Sequence, residues 1–240
     1  MSFIEILNLT KSYEEKDILS NINLNIEKGE FVSIIGRYGS GKTTLLKVIA
    51  GLNKNYTGEV LINGLNPSQV LKERGIGICF QKSNLLPWLN VIDNVSLPLK
   101  IIGDKSNEKA QALLKTIGLS AISKNKVNQL SGGMEKLVSI ARSLILDPMV
   151  LLLDEPFSSL DEMSRENLYK KLLNIHKKTN KTTILITHSI FEAVYLSDKV
   201  IVLNGDPSTI KSVIKINLDE KRDYETMGKY IELLKSELDV

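Results

Sequence analysis

At 240 residues the chain is long enough to bury a full core, as one large domain or as a core with a smaller appended lobe. A formal net charge of +3 gives no electrostatic case for a nucleic-acid partner, and a single cysteine excludes a disulfide within the chain. The longest apolar run, around Met149–Leu153, falls far short of the ~18 residues that a membrane helix needs, so the chain is expected to be soluble or at most peripheral to a membrane. Residues 1–20 mix acidic, basic and apolar side chains, which predicts no secretory signal. Cys79 lies inside the apolar stretch 76–80 and reads as a small buried hydrophobe, consistent with a reducing compartment.

In chain order, patchy alternation over 3–9 and 18–26 predicts two antiparallel strands flanking a loop around Tyr13. The apolar run 30–35 then leads into Gly36-Arg37-Tyr38-Gly39-Ser40-Gly41-Lys42-Thr43, after which Leu45, Ile49 and Leu52 recur at helical spacing. Strand, glycine-rich loop and helix make the context that a phosphate-binding loop requires. Glycines let successive N–H groups converge on one concavity, and the helix N-terminus adds its positive dipole end. Gly36, Gly39, Ser40 and Gly41 form the cradle, with Thr44 counted in the turn that follows. Lys42 would then reach the β- and γ-phosphates, and the Thr43 hydroxyl would ligate magnesium. This loop specifies a nucleoside triphosphate without specifying the reaction.

Residues 59–62 followed by Asn63-Gly64 predict another antiparallel strand and a tight turn. A buried strand is expected over 75–80, a loop to Asn90, and helices over 91–102, 106–117 and 132–146. In the last of these Met134, Leu137, Ala141 and Leu144 line one face, and Asp147-Pro148 supplies the stop. This interval reads as a helical lobe, about 91–147, inserted into an α/β core formed by about 1–90 and 148–240. The core resumes with the continuous apolar strand 150–153, a helix over 161–177, a strand over 183–186, a helix over 189–196 and a strand over 200–203. Such alternation implies parallel pairing. A further strand over 209–217 and a helix over 224–238 follow.

Asp154 and Glu155 directly follow the 150–153 strand. Alone they read equally well as an acidic loop cap. In a phosphate-loop protein the first carboxylate is placed to hold magnesium, directly or through water, and the second to polarise an attacking water. Leu130-Ser131-Gly132-Gly133, opening a helix, makes a second concavity of N–H groups with no buried strand before it.

With these motifs together the chain resembles the nucleotide-binding subunit of an ABC transporter over nearly its whole length. The elements that carry the likeness are Tyr13, the phosphate loop, Gln81, the Leu130-Ser131-Gly132-Gly133 signature, Asp154-Glu155, Ser158-Ser159-Leu160-Asp161 and His188. The resemblance implies a phosphate-loop NTPase core with a mostly parallel sheet, an N-terminal antiparallel β-subdomain and an inserted α-helical subdomain. It implies hydrolysis of ATP with Mg2+ and a second copy of the chain as partner. Ser131, Gly132 and Gly133 would then contact the γ-phosphate held by that copy, and Asp161 would stand with the nucleotide-binding residues.

Tyr13 would offer a π-face to adenine, and Gln81 would orient water and reach the metal. Glu155 would be the general base, with His188 donating to the γ-phosphate; His176, in a charged helix, reads as solvated surface. A multi-span permease would dock near Gln81–Leu89, where Leu85-Leu86-Pro87-Trp88 puts apolar bulk in a loop. An extracytoplasmic solute-binding protein would take part indirectly, and the chain would sit at the cytoplasmic face of the membrane.

That tetrapeptide, with Val91-Ile92-Asp93-Asn94-Val95 after it, looks most like the ATPases of nitrate, sulfonate, taurine and related importers. There are two departures from the family pattern. Met134 stands where glutamine is usual, with Glu135, Lys136 and Leu137 in the polar and basic positions that follow, and Arg37-Tyr38 replaces a commoner proline and small polar residue. Among other classes, Asn125-Lys126-Val127-Asn128 lacks the aspartate of a guanine reader, and a small-molecule kinase has no reason for the signature. Soluble relatives acting on DNA or ribosomes tend to carry coiled-coil insertions or two cassettes, neither of which is present. An export or cell-division ATPase of the same family remains the alternative.

Overall fold

The computed structural model describes residues 2–14, 16–158, 160–218 and 224–238. The elements begin with β1 (Ile4–Tyr13), β2 (Lys16–Ile26), β3 (Phe31–Gly36), α1 (Lys42–Ile49), β4 (Thr57–Ile62), α2 (Pro67–Lys72) and β5 (Ile76–Cys79). Helices α3 (Val91–Ile101), α4 (Glu108–Thr116) and α5 (Gly132–Leu144) follow. Then come β6 (Val150–Asp154), α6 (Glu162–Thr179), β7 (Thr182–Ile186), α7 (Ile190–Leu196), β8 (Lys199–Gly205), β9 (Ser208–Lys215) and α8 (Tyr224–Leu238). The chain divides into two compact units, Met1–Glu73 with Lys181–Val240 and Arg74–Asn180. Among the described residues no helix is long and apolar enough to cross a membrane.

In the first unit the strands lie in the order β4-β1-β2-β9-β8-β3-β7. Parallel pairing joins β3 to both β7 and β8. All residues of β3 and β7 are buried, the pattern of strands covered on both faces. The other side of the unit is mostly antiparallel: β1 pairs with β2 and with β4, and β9 folds back on β8 as a hairpin, while Leu19 of β2 meets Ser208 of β9 in parallel. Strand β9 runs antiparallel to β8 because the two-residue connection Asp206-Pro207 is too short for a crossover. Strand β4 ends in the turn expected from Asn63-Gly64, with φ of 50° and 77°. Tyr13 is the last residue of β1, paired with Lys16, rather than part of a loop. Helix α1 stops at Ile49, and Leu52, expected on its buried face, is exposed beyond it. Helices α7 and α8 bury Ala193, Val194, Met227 and Leu234 against Ile35, Val200 and Val202.

The second unit is built on β5 and β6, which pair in parallel with Ile76 opposite Val150 and Cys79 opposite Leu153. Helix α5 packs against β5, α3 and α6. Leu137, Ala141 and Leu144 are buried as its periodicity predicts, but Met134 is exposed, because it lies in the first turn before the helix reaches the core. Phe157 meets Tyr169 edge to face, with ring centres 4.8 Å apart. Cys79 is fully buried, and burial pushes its thiol above the ordinary value, partly offset by the hydrogen bond to Ser139.

Strand β5 and the end of α5 approach closely at Gly77. A Cβ added at Gly77 would lie 2.2 Å from the Ser143 carbonyl oxygen and 3.0 Å from Pro148 Cγ. Because a main-chain atom on a packed helix cannot swing aside, Gly77→Ala is expected to cost about 2 kcal/mol or more. A lower urea midpoint at unchanged slope is the measurement that checks it.

Candidate functional site

Strand β3 is held between β7 and β8 up to Gly36, and α1 begins at Lys42, which leaves five residues for the connecting loop. Gly39 and Gly41 have φ of 80° and 73°, the left-handed region that a side chain disfavours. At Gly36 the restriction is one of space: a Cβ would lie 2.6 Å from the Leu203 carbonyl oxygen and 2.6 Å from Ser40 Oγ. Ser40 donates its N–H to the Arg37 carbonyl at 3.1 Å, closing the turn. The buried Lys42 ammonium donates to the carbonyls of Gly36 at 2.9 Å and Arg37 at 2.8 Å, so it is drawn over the loop rather than out to solvent. Thr43 is exposed and Thr44 half-buried in the first turn of α1. Beside the loop a cavity of about 460 Å³ is lined by Arg37, Tyr38, Gly39, Ser40 and residues of the β8–β9 turn. Tyr38 projects fully into solvent.

Tyr13 and His188 also belong to the first unit. Tyr13 is 45 % exposed; its hydroxyl accepts from Asn53 Nδ2 at 2.8 Å, and the Lys11 ammonium lies 4.3 Å from the ring centre on one face. His188 is exposed one residue after Thr187, which follows β7. The backbone around it is fixed by a buried polar cluster. The Thr187 hydroxyl donates to the buried Glu192 carboxylate and accepts from the Ser189 N–H at 3.0 Å, and Ser189 Oγ caps α7 by accepting from Glu192 N–H at 3.3 Å. Glu192 was not foreseen as part of this arrangement; a glutamate four residues after the histidine, on a short apolar helix, was the available signal.

In the second unit β6 delivers Asp154 at its end and Glu155 immediately beyond. Glu155 has φ of 43°, a strained conformation for a residue with a side chain. Gln81 Nε2 donates to Glu155 Oε2 at 3.4 Å and to Ser158 Oγ at 3.3 Å, while Ser158 Oγ donates to the Glu155 carbonyl at 3.1 Å. Two residues 74 apart in sequence are thus brought together at their side chains.

Ser131 is the N-cap of α5, accepting from Met134 N–H at 3.3 Å, with Gly132 and Gly133 as the first helical residues. A Cβ at Gly132 would meet Leu160 Cδ2 at 2.9 Å. A cavity of about 360 Å³ opens here between α5 and α6, lined by Ser131, Gly133, Met134 and Leu137 with Asn167 and Lys171 opposite. Asp161 caps α6, accepting from Ser164 N–H at 3.0 Å, and the hydrogen bonds from Ser164 hold its carboxyl below the ordinary range. Ser159, quoted with this segment from the sequence, lies outside the described residues. Phe80, just before Gln81, is 40 % exposed, and in the loop after Gln81 Leu85 is buried and Trp88 is 68 % exposed. Asn94 pins this loop by accepting from Leu86 N–H at 2.7 Å and donating to its carbonyl at 3.1 Å.

The glycine loop between buried parallel strands and α1 defines a phosphate-loop nucleotide-binding protein of the α/β class. Its nearer kinship follows from comparison with known proteins. The ABC transporter family model matches residues 19–158. An uncharacterized ABC transporter ATP-binding protein of Methanocaldococcus jannaschii is 41% identical over 244 residues, spanning 99% of this chain and 90% of its own length. The aliphatic sulfonates import ATP-binding protein of Bacillus subtilis is 41% identical over 209 residues, 87% of this chain and 81% of its own. The spermidine/putrescine import ATP-binding protein of Fusobacterium nucleatum is 45% identical over 206 residues, 84% of this chain and 55% of its own. Among solved structures, a dimeric ATP-binding cassette in a post-hydrolysis state with ADP and phosphate superposes with a TM-score of 0.74 at 33% identity, covering 90% of this chain and 100% of that one. This chain belongs to the ABC transporter ATP-binding family. It is an ATPase.

The conformation of Glu155 can be tested apart from its chemistry. Glu155→Gly and Glu155→Ala both remove the carboxylate, but only glycine adopts a positive φ without strain. The glycine variant is expected to be the more stable by about 1 kcal/mol in urea denaturation.

Proposed function

We propose that this chain is the ATP-hydrolysing subunit of a solute importer. It would work as a pair of copies at the cytoplasmic face of a membrane beneath a multi-span permease, with an extracytoplasmic solute-binding protein on the far side. The observation that carries this reading is the segment that begins with the Gln81 amide on Glu155 and ends, seven residues later, at the exposed Trp88. One short piece of chain then touches the candidate base and offers an aromatic surface to a partner.

In this reading Gly36, Gly39, Ser40 and Gly41 cradle the phosphates, Lys42 neutralises the β- and γ-oxygens, and Thr44 lines the same turn. Tyr13 stacks on the adenine with the ring face opposite Lys11. The Thr43 hydroxyl and the Asp154 carboxylate, with Gln81, are hard oxygen donors of the kind Mg2+ takes alongside substrate phosphates. The ion, when bound, supplies charge neutralisation at the transferring phosphoryl group. Glu155 accepts the proton of the attacking water, which Gln81 orients, and His188 donates to the γ-phosphate.

Ser131, Gly132 and Gly133, in the helical segment 91–147 that we take as a signature subdomain, receive the γ-phosphate held by the second copy, with Asp161 on the same side. ATP binding then favours a closed pair and hydrolysis releases it, because the γ-phosphate is what distinguishes the two states. The dimeric relative in a post-hydrolysis state supports the pairing. For the cargo, the sulfonate-importing relative supports a small anionic solute and the polyamine-importing relative a cation. The Leu85-Leu86-Pro87-Trp88 segment favours the nitrate, sulfonate and taurine group.

Glu155→Gln is expected to lower the hydrolysis rate by about two to four orders of magnitude while ATP binding persists. The same variant, saturated with Mg-ATP, is expected to shift from monomer to dimer in light scattering. Unchanged turnover would remove Glu155 from its role, and a protein that stays monomeric with and without a co-purified permease would remove the motor reading.

A further inference from the structure

Helix α5 carries polar side chains on the side it turns to the loop after β5, and they grip the main chain of that loop. Lys136, Ser139 and Arg142 recur every three residues. Lys136 Nζ donates to the Gln81 carbonyl. Ser139 Oγ donates to the Ser83 carbonyl at 3.2 Å, and the Arg142 guanidinium forks to the carbonyls of Ser83 at 2.7 Å and Asn84 at 2.8 Å. Glu135 completes the set by accepting from Ser83 Oγ at 3.2 Å. Within this set only Lys136 is bonded to the residue whose side chain meets Glu155.

Lys136 is 4 % exposed, and burial pushes its ammonium below the ordinary lysine value. A buried cation is unfavourable unless hydrogen bonds compensate it, and an apolar side chain of the same length would fill the space without that penalty. Packing therefore gives no reason for a lysine here, whereas the Gln81 carbonyl does.

We propose that Lys136 is a positioning residue for ATP hydrolysis. By holding the Gln81 carbonyl it fixes the direction in which the Gln81 side chain leaves the backbone, and so keeps that amide on Glu155 and Ser158. The inference rests on the roles given to Gln81 and Glu155 above. It adds to them a residue that acts through the Gln81 main chain.

The test compares Lys136→Met and Lys136→Leu, which remove the donor at similar volume, with Lys136→Gln, which keeps an N–H donor. Each is checked by thermal melting, and two apolar variants are used so that the result does not hang on the folding of one. Loss of the donor is expected to lower kcat roughly tenfold with KM for ATP within about twofold, the scale of one charge-assisted hydrogen bond. Lys136→Gln is expected to retain at least about half of the wild-type kcat. In a Gln81→Ala background Lys136→Met should cost less than about twofold, since the two act through one contact. Without nucleotide or magnesium, amide exchange in the Gln81–Leu86 peptide should quicken roughly tenfold in the apolar variants.

Several outcomes would overturn the proposal. If Gln81→Ala slows hydrolysis but folded Lys136→Met does not, Lys136 has no such role and the wider reading stands. If Lys136→Met costs as much in the Gln81→Ala background as alone, Lys136 acts by another route. If folded Lys136→Gln is as slow as the apolar variants, the donor is not the cause. If Gln81→Ala itself leaves kcat unchanged, the reading beneath the proposal falls and takes it along.

Discussion

Between the last residue of β3 and the first of α1 the chain has five residues in which to turn, with the Leu203 carbonyl oxygen only 2.6 Å from where a Cβ on Gly36 would be. Almost every other requirement of the first unit follows from that proximity. Strand β3 must be straight and buried to deliver Gly36 at one height, which the parallel pairing with β7 and β8 achieves. Gly41 enters α1 from the left-handed region, and a side chain there would also strike Leu19 and Ile18 of β2. Lys42, inward and hydrogen-bonded to two loop carbonyls, then holds the loop from within. Charge and dipole are set in place by the fold before any anion is met, which is what makes preorganised electrostatics effective.

A comparable constraint governs the end of β6. The strand is buried until Leu153, and the chain must leave it sharply; Glu155 makes the departure at φ of 43°. A residue with a side chain tolerates this only when the surroundings over-determine it. Here Ser158 bonds its carbonyl and Gln81 its carboxylate. Strain at a candidate base and rigidity around it are two aspects of one turn, and the helix cap at Asp161 limits how far the turn can relax before α6 begins.

What could be read from the sequence divides along the same physical lines. Local rules found the phosphate loop, the Asn63-Gly64 turn and the buried strands, because glycine spacing, positive φ and continuous apolar runs act within a few residues. Helix α2 escaped because six residues are too few to show a period, although Asn66, Pro67 and Gln69 spell a helix start and the structure closes them into a capping box. Leu52 and Met134 fit a helical stripe in the sequence but fall where the helix has ended or has not yet met the core. At the candidate site, residue types at strand ends were legible one by one. The bonds among them were not, since the contacts of Gln81 with Glu155 and of Lys136 with Gln81 span tens of residues and belong to packing.

The four residues Met134-Glu135-Lys136-Leu137, where the chain departs from the family pattern, separate into two kinds once α5 is seen in place. Met134 is exposed in the first turn, beside Ser131 and on the rim of the cavity toward α6, so its influence falls on whatever approaches that helix end. Lys136 and Leu137 point inward and are buried. Glu135 bridges the two, half-buried and bonded to Ser83. A departure on the outer side changes the exposed surface, and one on the inner side changes what meets the loop carrying Gln81. Gly133 stands three residues before Lys136 on α5, so the exposed end of the helix and the ammonium that bonds the Gln81 carbonyl lie about one turn apart.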